Sequence, residues 1–167
     1  MIEAMQLNAE MTYPDATPDE AFEVLVDPEF RKAVCKATHA LDFTVTVERL
    51  DDGGASIVID RTMPADLPDV AKKFIGDTVE VRQTEHWGAR SADGSRTADI
   101  EVKIEGQPAG MIGTASLEPA GEGCREVIAG DVKVSIPFVG KKIEPEVARG
   151  IRAAVEIEQR VGLSWLG

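Results

Sequence analysis

The feature that most constrains this chain is a change of period. From about residue 41 to residue 136, apolar side chains recur at every second position in run after run. From about 138 to 166 they recur at every third or fourth. Period two describes a strand with one face on a core, and period 3.6 describes a helix with one apolar stripe. A chain ordered in this way has to lay one long helix over one face of an antiparallel sheet.

The opening residues add a further strand, over 5–13, with Met5, Leu7, Ala9, Met11 and Tyr13 on one side and Gln6, Asn8, Glu10 and Thr12 on the other. Thr17-Pro18-Asp19-Glu20 is a capping box with proline in the first turn, and it predicts a helix through Val26 with Phe22, Leu25 and Val26 inward. Asp27-Pro28 ends that helix and opens a second over 29–37. Strands then follow over 41–48 and 55–63, joined by the turn Asp51-Asp52-Gly53-Gly54. Residues 65–76, with Pro68 and Gly76, read as a short helical or looped excursion. Strands resume over 78–87, 96–104, 109–117 and 124–136, which makes seven. In the last segment Ile143, Val147, Ile151, Ala154 and Val155 form the apolar stripe. Pro145 fits a first turn, so either regular helix starts near Glu144 or an earlier turn from Phe138 is kinked there. No repeat, linker or low-complexity tract interrupts the chain, and residues 1–167 read as a single α+β domain.

Tyr13-Pro14 with Thr17 to Phe22, Asp27-Pro28-Glu29-Phe30-Arg31, Arg61 with Pro64, the strand end at Trp87, and Ile136-Pro137-Phe138-Val139-Gly140-Lys141-Lys142-Ile143-Glu144 together resemble one known group. Along its whole length the chain is similar to the START, polyketide-cyclase and pollen-allergen superfamily, also called SRPBCC. Within it, the likeness is to a mainly actinobacterial family of unknown function. The resemblance implies a helix-grip fold: a curved seven-stranded antiparallel sheet wrapped around a long C-terminal helix, with two short helices after the first strand and an elongated apolar cavity. It also implies a superfamily that binds lipids, hormones or polyketides and in some branches transforms them. It carries no catalytic residue over to this sequence.

Strand parity says what would line such a cavity. Phe43, Ile59, Val81, Trp87, Val102, Met111 and Val132 fall on the inward face, and Ile151 and Val155 face them from the helix. On the same parity Arg61 falls between Ile59 and Met63, and Gln83 and Glu85 fall between Val81 and Trp87. A buried charge needs a partner, so Arg61 is expected to pair with Glu85, with Gln83 completing the hydrogen bonds or orienting a ligand. The alternative is that both strands bulge there and leave the three groups in solvent. The small inward residues Ala98, Gly113, Ala115 and Gly130 either admit the helix closely or leave room for a guest. Phe74, Ile75 and Phe138 lie in the segments that would flank one end, which makes them gate candidates.

Charge and composition narrow the partners. Eighteen Lys and Arg against thirty Asp and Glu give a net charge of -12, which repels a phosphate backbone or an anionic membrane surface. Neither nucleic acid nor membrane is expected as a partner, and the first residues lack a signal-peptide pattern, so a cytoplasmic location is expected. Cys35 and Cys124 form no CxxC, and His39 and His86 form no ligand motif, so neither a metal nor a cofactor is expected. Both thiols read as buried small residues. Gly121-Glu122-Gly123 is a hairpin turn, Lys141-Lys142 a solvated step before the last helix, and acids such as Glu144 a soluble surface. Trp165 reads as a clasp at the helix end.

The function expected is binding or carriage of a small, mostly hydrophobic molecule between the sheet and the C-terminal helix. Two alternatives stand beside it. One is a cyclase or hydratase type of enzyme using Glu85 as acid or base after burial raises its pKa. The other is a filled domain that acts through an exposed face or as a homodimer.

Overall fold

A computed structural model describes residues 4–66 and 68–167, with the backbone alone of residues 70, 71 and 74. Strand β1 (Met5–Tyr13) leads into α1 (Pro18–Leu25) and α2 (Pro28–Ala37). Then come β2 (Asp42–Arg49), β3 (Ala55–Pro64), α3 (Asp69–Ile75), β4 (Thr78–Trp87), β5 (Arg96–Ile104), β6 (Ala109–Ala120), β7 (Gly123–Val134) and α4 (Gly140–Leu166). The strands form one antiparallel sheet in the order β1-β7-β6-β5-β4-β3-β2. From β2 to β7 the chain meanders through hairpins. Only the passage from β1 to β2 crosses from one edge of the sheet to the other, and α1 and α2 make that crossing. This is the helix-grip fold.

Local chemistry sets the helix starts. The Thr17 hydroxyl accepts from the Glu20 N–H at 3.1 Å while the Glu20 carboxylate accepts from the Thr17 N–H at 3.2 Å, which closes the capping box of α1. Asp27 caps α2 through the Glu29 N–H at 2.9 Å. The excursion after β3 contains the short helix α3. The last helix begins at Gly140, ahead of Glu144: the Gly140 N–H reaches the Ile136 carbonyl and the Ile143 N–H the Val139 carbonyl. Pro145 therefore lies past the first turn and forfeits one helical hydrogen bond. Strand β7 stops at Val134 rather than 136: the Ser135 N–H still donates to the Pro108 carbonyl opposite it at 2.8 Å, but Pro108 has no N–H with which to continue the ladder.

The main core lies between the sheet, α1, α2 and the C-terminal half of α4, around Leu7, Met11, Phe22, Leu25, Phe30, Ile57, Trp87, Leu117 and Val132. Phe22 meets Trp87 edge to face with ring centroids 6.0 Å apart. Arg96 lies 3.7 Å from the centre of the Phe22 ring, over its face. A second cluster of Ile104, Ala109, Val134 and Ile143 seats the beginning of α4. Among the described residues, no helix is long and apolar enough to cross a membrane.

Helix α4 rests mainly on β1, β7, α1 and α2. It approaches β1 closely, where the Gln159 side-chain carbonyl accepts the Thr12 N–H at 2.6 Å, and near its end Trp165 packs edge-on against Phe30 of α2 with ring centroids 5.7 Å apart. Gly162 permits that approach, since a Cβ there would lie 2.8 Å from the Tyr13 hydroxyl oxygen. Gly113, paired with Gly130 across β6 and β7, is small for a different reason: a Cβ at Gly113 would come within 2.2 Å of the Ala129 carbonyl oxygen, so the neighbouring strand itself excludes a side chain.

Two substitutions on α4 should separate these effects. Gly162→Val should push the helix off Tyr13 and cost about 1–3 kcal/mol in urea unfolding. Gly150 has open space around its Cβ position, so Gly150→Ala should raise stability by about 0.5–1 kcal/mol through helix propensity alone.

Candidate functional site

Because α4 leans toward the β1 and β7 side, the concave face of the other strands is left partly uncovered, and a cavity of about 500 Å³ lies between them. The sheet contributes Ile59, Val81, Ile100, Val102, Ile104, Met111 and Ile128, α4 contributes Val147, Ile151, Ala154 and Val155, and α2 contributes Val34 and Cys35, with Thr38 at its end. His39, Pro64, Asp66, Gly150 and Ala153 are lining residues that are also exposed, so the cavity reaches the surface between the ends of α2 and β3 and the middle of α4.

The polar lining begins with the ladder between β3 and β4. It runs unbroken from Ala55 opposite Trp87 to Pro64 opposite Thr78, so Arg61, Gln83 and Glu85 all keep the inward parity. No bulge carries them into solvent. The pairing, however, differs from the sequence expectation. Glu85 is 3% exposed and is held by Arg31 of α2, with Nη2 to Oε1 at 3.0 Å and Nη1 to Oε2 at 3.1 Å. The Trp87 indole N–H donates to Glu85 Oε1 at 2.8 Å, and the Gln83 amide donates to Oε2. Four donors fill the carboxylate's acceptor positions. Arg61 instead donates to the Gln83 side-chain oxygen and touches Glu85 only through that amide.

Arg31 extends the network. Its Nε donates to the Leu25 carbonyl at 2.7 Å, and Nη1 also reaches Glu158 of α4 at 3.1 Å. One guanidinium therefore ties α2 to β4 and to α4. Glu126, on β7, completes the polar wall; it is 3% exposed and its Oε2 finds no partner among the described residues. Arg31, Glu126 and Glu158 escaped the sequence reading, yet each carried a signal. Arg31 lies on the α2 face with Val34 and Cys35, Glu158 continues the α4 stripe after Ile151 and Val155, and Glu126 shares the parity of Ile128 and Val132. A charged residue on an apolar stripe was the mark of this site.

Of the residues expected to meet a ligand, Ile59, Arg61, Val81, Gln83, Glu85, Val102, Met111, Ile151 and Val155 are brought together around the cavity. Trp87 and Val132 lie in the main core, and Phe43 packs half-buried against it. The Phe74 side chain lies outside the described residues. Phe138 does not line the cavity: it is fully exposed in the turn before α4, where its φ is 69°. Glu144 is also unlike the surface acid expected, being 2% exposed with its carboxylate accepting the Val134 N–H at 3.0 Å.

Electrostatics divide the carboxyl groups. Burial alone would push Glu85 up, but Arg31, Trp87 and Gln83 outweigh it and hold the group below the usual carboxylate range. The enzymatic alternative supposes that burial raises Glu85 as an acid or base; its hydrogen-bonded partners shift it the other way. Glu126 goes the other way: burial first, then Glu158 and Glu85, push it well above the ordinary value against the opposing pull of Arg31. Burial also raises Glu158 despite Arg31. Burial and the nearby Glu126 carry the Cys124 thiol up to about 11, and burial raises Cys35, so both thiols are inert small residues.

Comparison with known proteins bears on this geometry. A family model described as "Protein of unknown function (DUF2505)" matches residues 8–166. An uncharacterized protein of Mycobacterium tuberculosis is 32% identical over 119 residues, which is 70% of this chain and 68% of the relative. The crystal structure of TTHA0849 from Thermus thermophilus superposes with a TM-score of 0.64 at 18% identity, covering 97% of each chain. That of human STARD10 gives 0.61 at 12% identity, over 96% of this chain and 64% of the other. At those identities the likeness is one of fold.

Two measurements follow from the carboxyl groups. Arg31→Met should destabilise the protein by about 3–5 kcal/mol, because Glu85 would be left buried without its counter-charge. For Glu126, a folded-state pKa above the unfolded one means that stability falls as pH rises through the carboxylate range, since only the unfolded chain then ionises freely. Glu126→Gln removes that loss. Its unfolding midpoint should match the parent near pH 4 and exceed it once the pH has risen above the ordinary carboxylate range.

Proposed function

The chain belongs to that family of unknown function, and from this premise we propose that it binds a small, mostly apolar molecule in the cavity between the sheet and α4. The observation that carries the reading is the cavity itself. Its volume of about 500 Å³ falls inside the roughly 300–1,000 Å³ of small-molecule sites. Its walls are mainly aliphatic, with a few convergent polar groups. Each 100 Å² of apolar ligand surface withdrawn from water there contributes about 2.5 kcal/mol before the costs of ordering.

Arg61 orients the guest in this reading. Among the described residues it makes no ion pair, its Nε lacks a protein partner, and its bonded neighbour is the neutral amide of Gln83. Glu85, expected from the sequence as the ion-pair partner of Arg61, is held by Arg31.

Titration with a neutral solvatochromic dye such as Nile red tests the reading. Val102→Trp fills the cavity from β5 and should weaken uptake at least tenfold while leaving the unfolding midpoint unchanged or higher; undiminished uptake by that variant would place the dye elsewhere. Replacing Arg61 by Leu should weaken a polar-headed probe such as dodecanol more than dodecane, measured by displacement of the dye. Equal losses would remove the orienting role.

A further inference from the structure

Counting charges along the buried part of the cavity wall leaves one carboxyl group over. Inside the rim, where Asp66 is exposed and Glu146 pairs with Arg149, Arg31 and Arg61 supply two fixed positive charges, and Glu85 and Glu158, both bonded to Arg31, supply two carboxylates. Glu126 is the third. It is buried at 3% exposure, lines the cavity, and has an oxygen with no donor among the described residues. The groups facing it are Glu158 from α4, Glu85 from β4, Arg31 from α2, Tyr13 from β1 and its strand neighbour Cys124. Only one of these is a cation, and that cation already makes three hydrogen bonds to Glu85 and Glu158. A bare carboxylate in this position would carry its desolvation cost with no counter-charge of its own. The neutral acid does not, and it turns the residue from an acceptor into a donor.

We propose that Glu126 presents a carboxylic-acid O–H to the cavity and thereby selects a ligand that carries a neutral acceptor oxygen, such as a ketone, on an otherwise apolar body. This rests on the cavity being a ligand site and names the chemistry of the guest. A carboxylate ligand would add a third negative charge to a buried wall whose two arginines already face two carboxylates. An amine would have to strip the Glu126 proton and sit as a further cation in the field of Arg31. A neutral acceptor oxygen demands neither, and it leaves the two-against-two balance of the wall undisturbed.

Four naphthalene probes of nearly equal size distinguish the possibilities by displacement of Nile red: 2-acetylnaphthalene, its hydrocarbon isostere 2-isopropenylnaphthalene, 2-naphthylmethylamine and 2-naphthoate. The ketone should bind about fivefold more tightly than the hydrocarbon, as one net hydrogen bond implies. That preference should persist in Glu126→Gln, whose amide still donates, and vanish in Glu126→Leu. If Glu126→Leu does not fold, infrared difference spectra of the parent protein serve instead. Addition of the ketone should shift a protonated-carboxyl stretch that is missing from Glu126→Gln. Equal affinity for ketone and hydrocarbon, a preference for the amine or the naphthoate, or a spectrum with carboxylate bands alone at that residue would overturn the proposal while leaving the cavity a binding site. Failure of all four probes and of the dye to bind would overturn both.

Discussion

The guanidinium of Arg31 is the interaction on which the rest of this structure depends. It is buried at 2% exposure, grips Glu85 with both terminal nitrogens, reaches Glu158, and caps the Leu25 carbonyl through Nε. Those four contacts join α2, β4, α4 and the end of α1 at a single point. A buried ion pair of this kind adds little net stability over a well-packed apolar alternative, because desolvation offsets the attraction. What it supplies here is position. The pair keeps α2 and α4 at a set distance from the strands, and the space that results is the cavity.

The cavity is therefore a consequence of where the helix rests. Gly162 over Tyr13 and the Gln159 bond to the Thr12 backbone draw α4 toward β1, while Val34, Cys35 and Thr38 close the side away from it. The strands between β2 and β7 curve around a volume that no side chain of α4 fills. Their inward residues are mainly branched aliphatics, which give an apolar wall, and the polar groups that interrupt it converge from several strands. Arg61 and Gln83 stand on β3 and β4, and Glu126 on β7. A guest in this space meets apolar surface along most of its length and a hydrogen-bonding group at few points. That pattern favours orientation over raw strength of binding.

Much of this was legible in the sequence because alternation and spacing are local properties. The bounds of β1, β4 and β5, the capping box of α1 and the change to helical period in α4 all follow from residues within a few positions of one another. The inward turn of Arg61, Gln83 and Glu85 was visible for the same reason. Their partners were not. Parity says which way a side chain points and nothing about which of several facing charges it will meet, so Glu85 was matched with its strand neighbour Arg61 when a longer reach from α2 gave Arg31 the better geometry. Phe138 shows the same limit: a large apolar residue at a cavity end suggests a gate, and spacing in the sequence says nothing of its full exposure in the turn before α4.

The most direct measurement is a crystal structure of the protein isolated under native conditions from its own host. Continuous density for a non-protein molecule between α4 and β3 to β5, with an oxygen in hydrogen-bonding range of Glu126, is the expected result. A space holding only ordered water, or a helix α4 packed down onto those strands with no space at all, would contradict the assignment of the cavity as a ligand site.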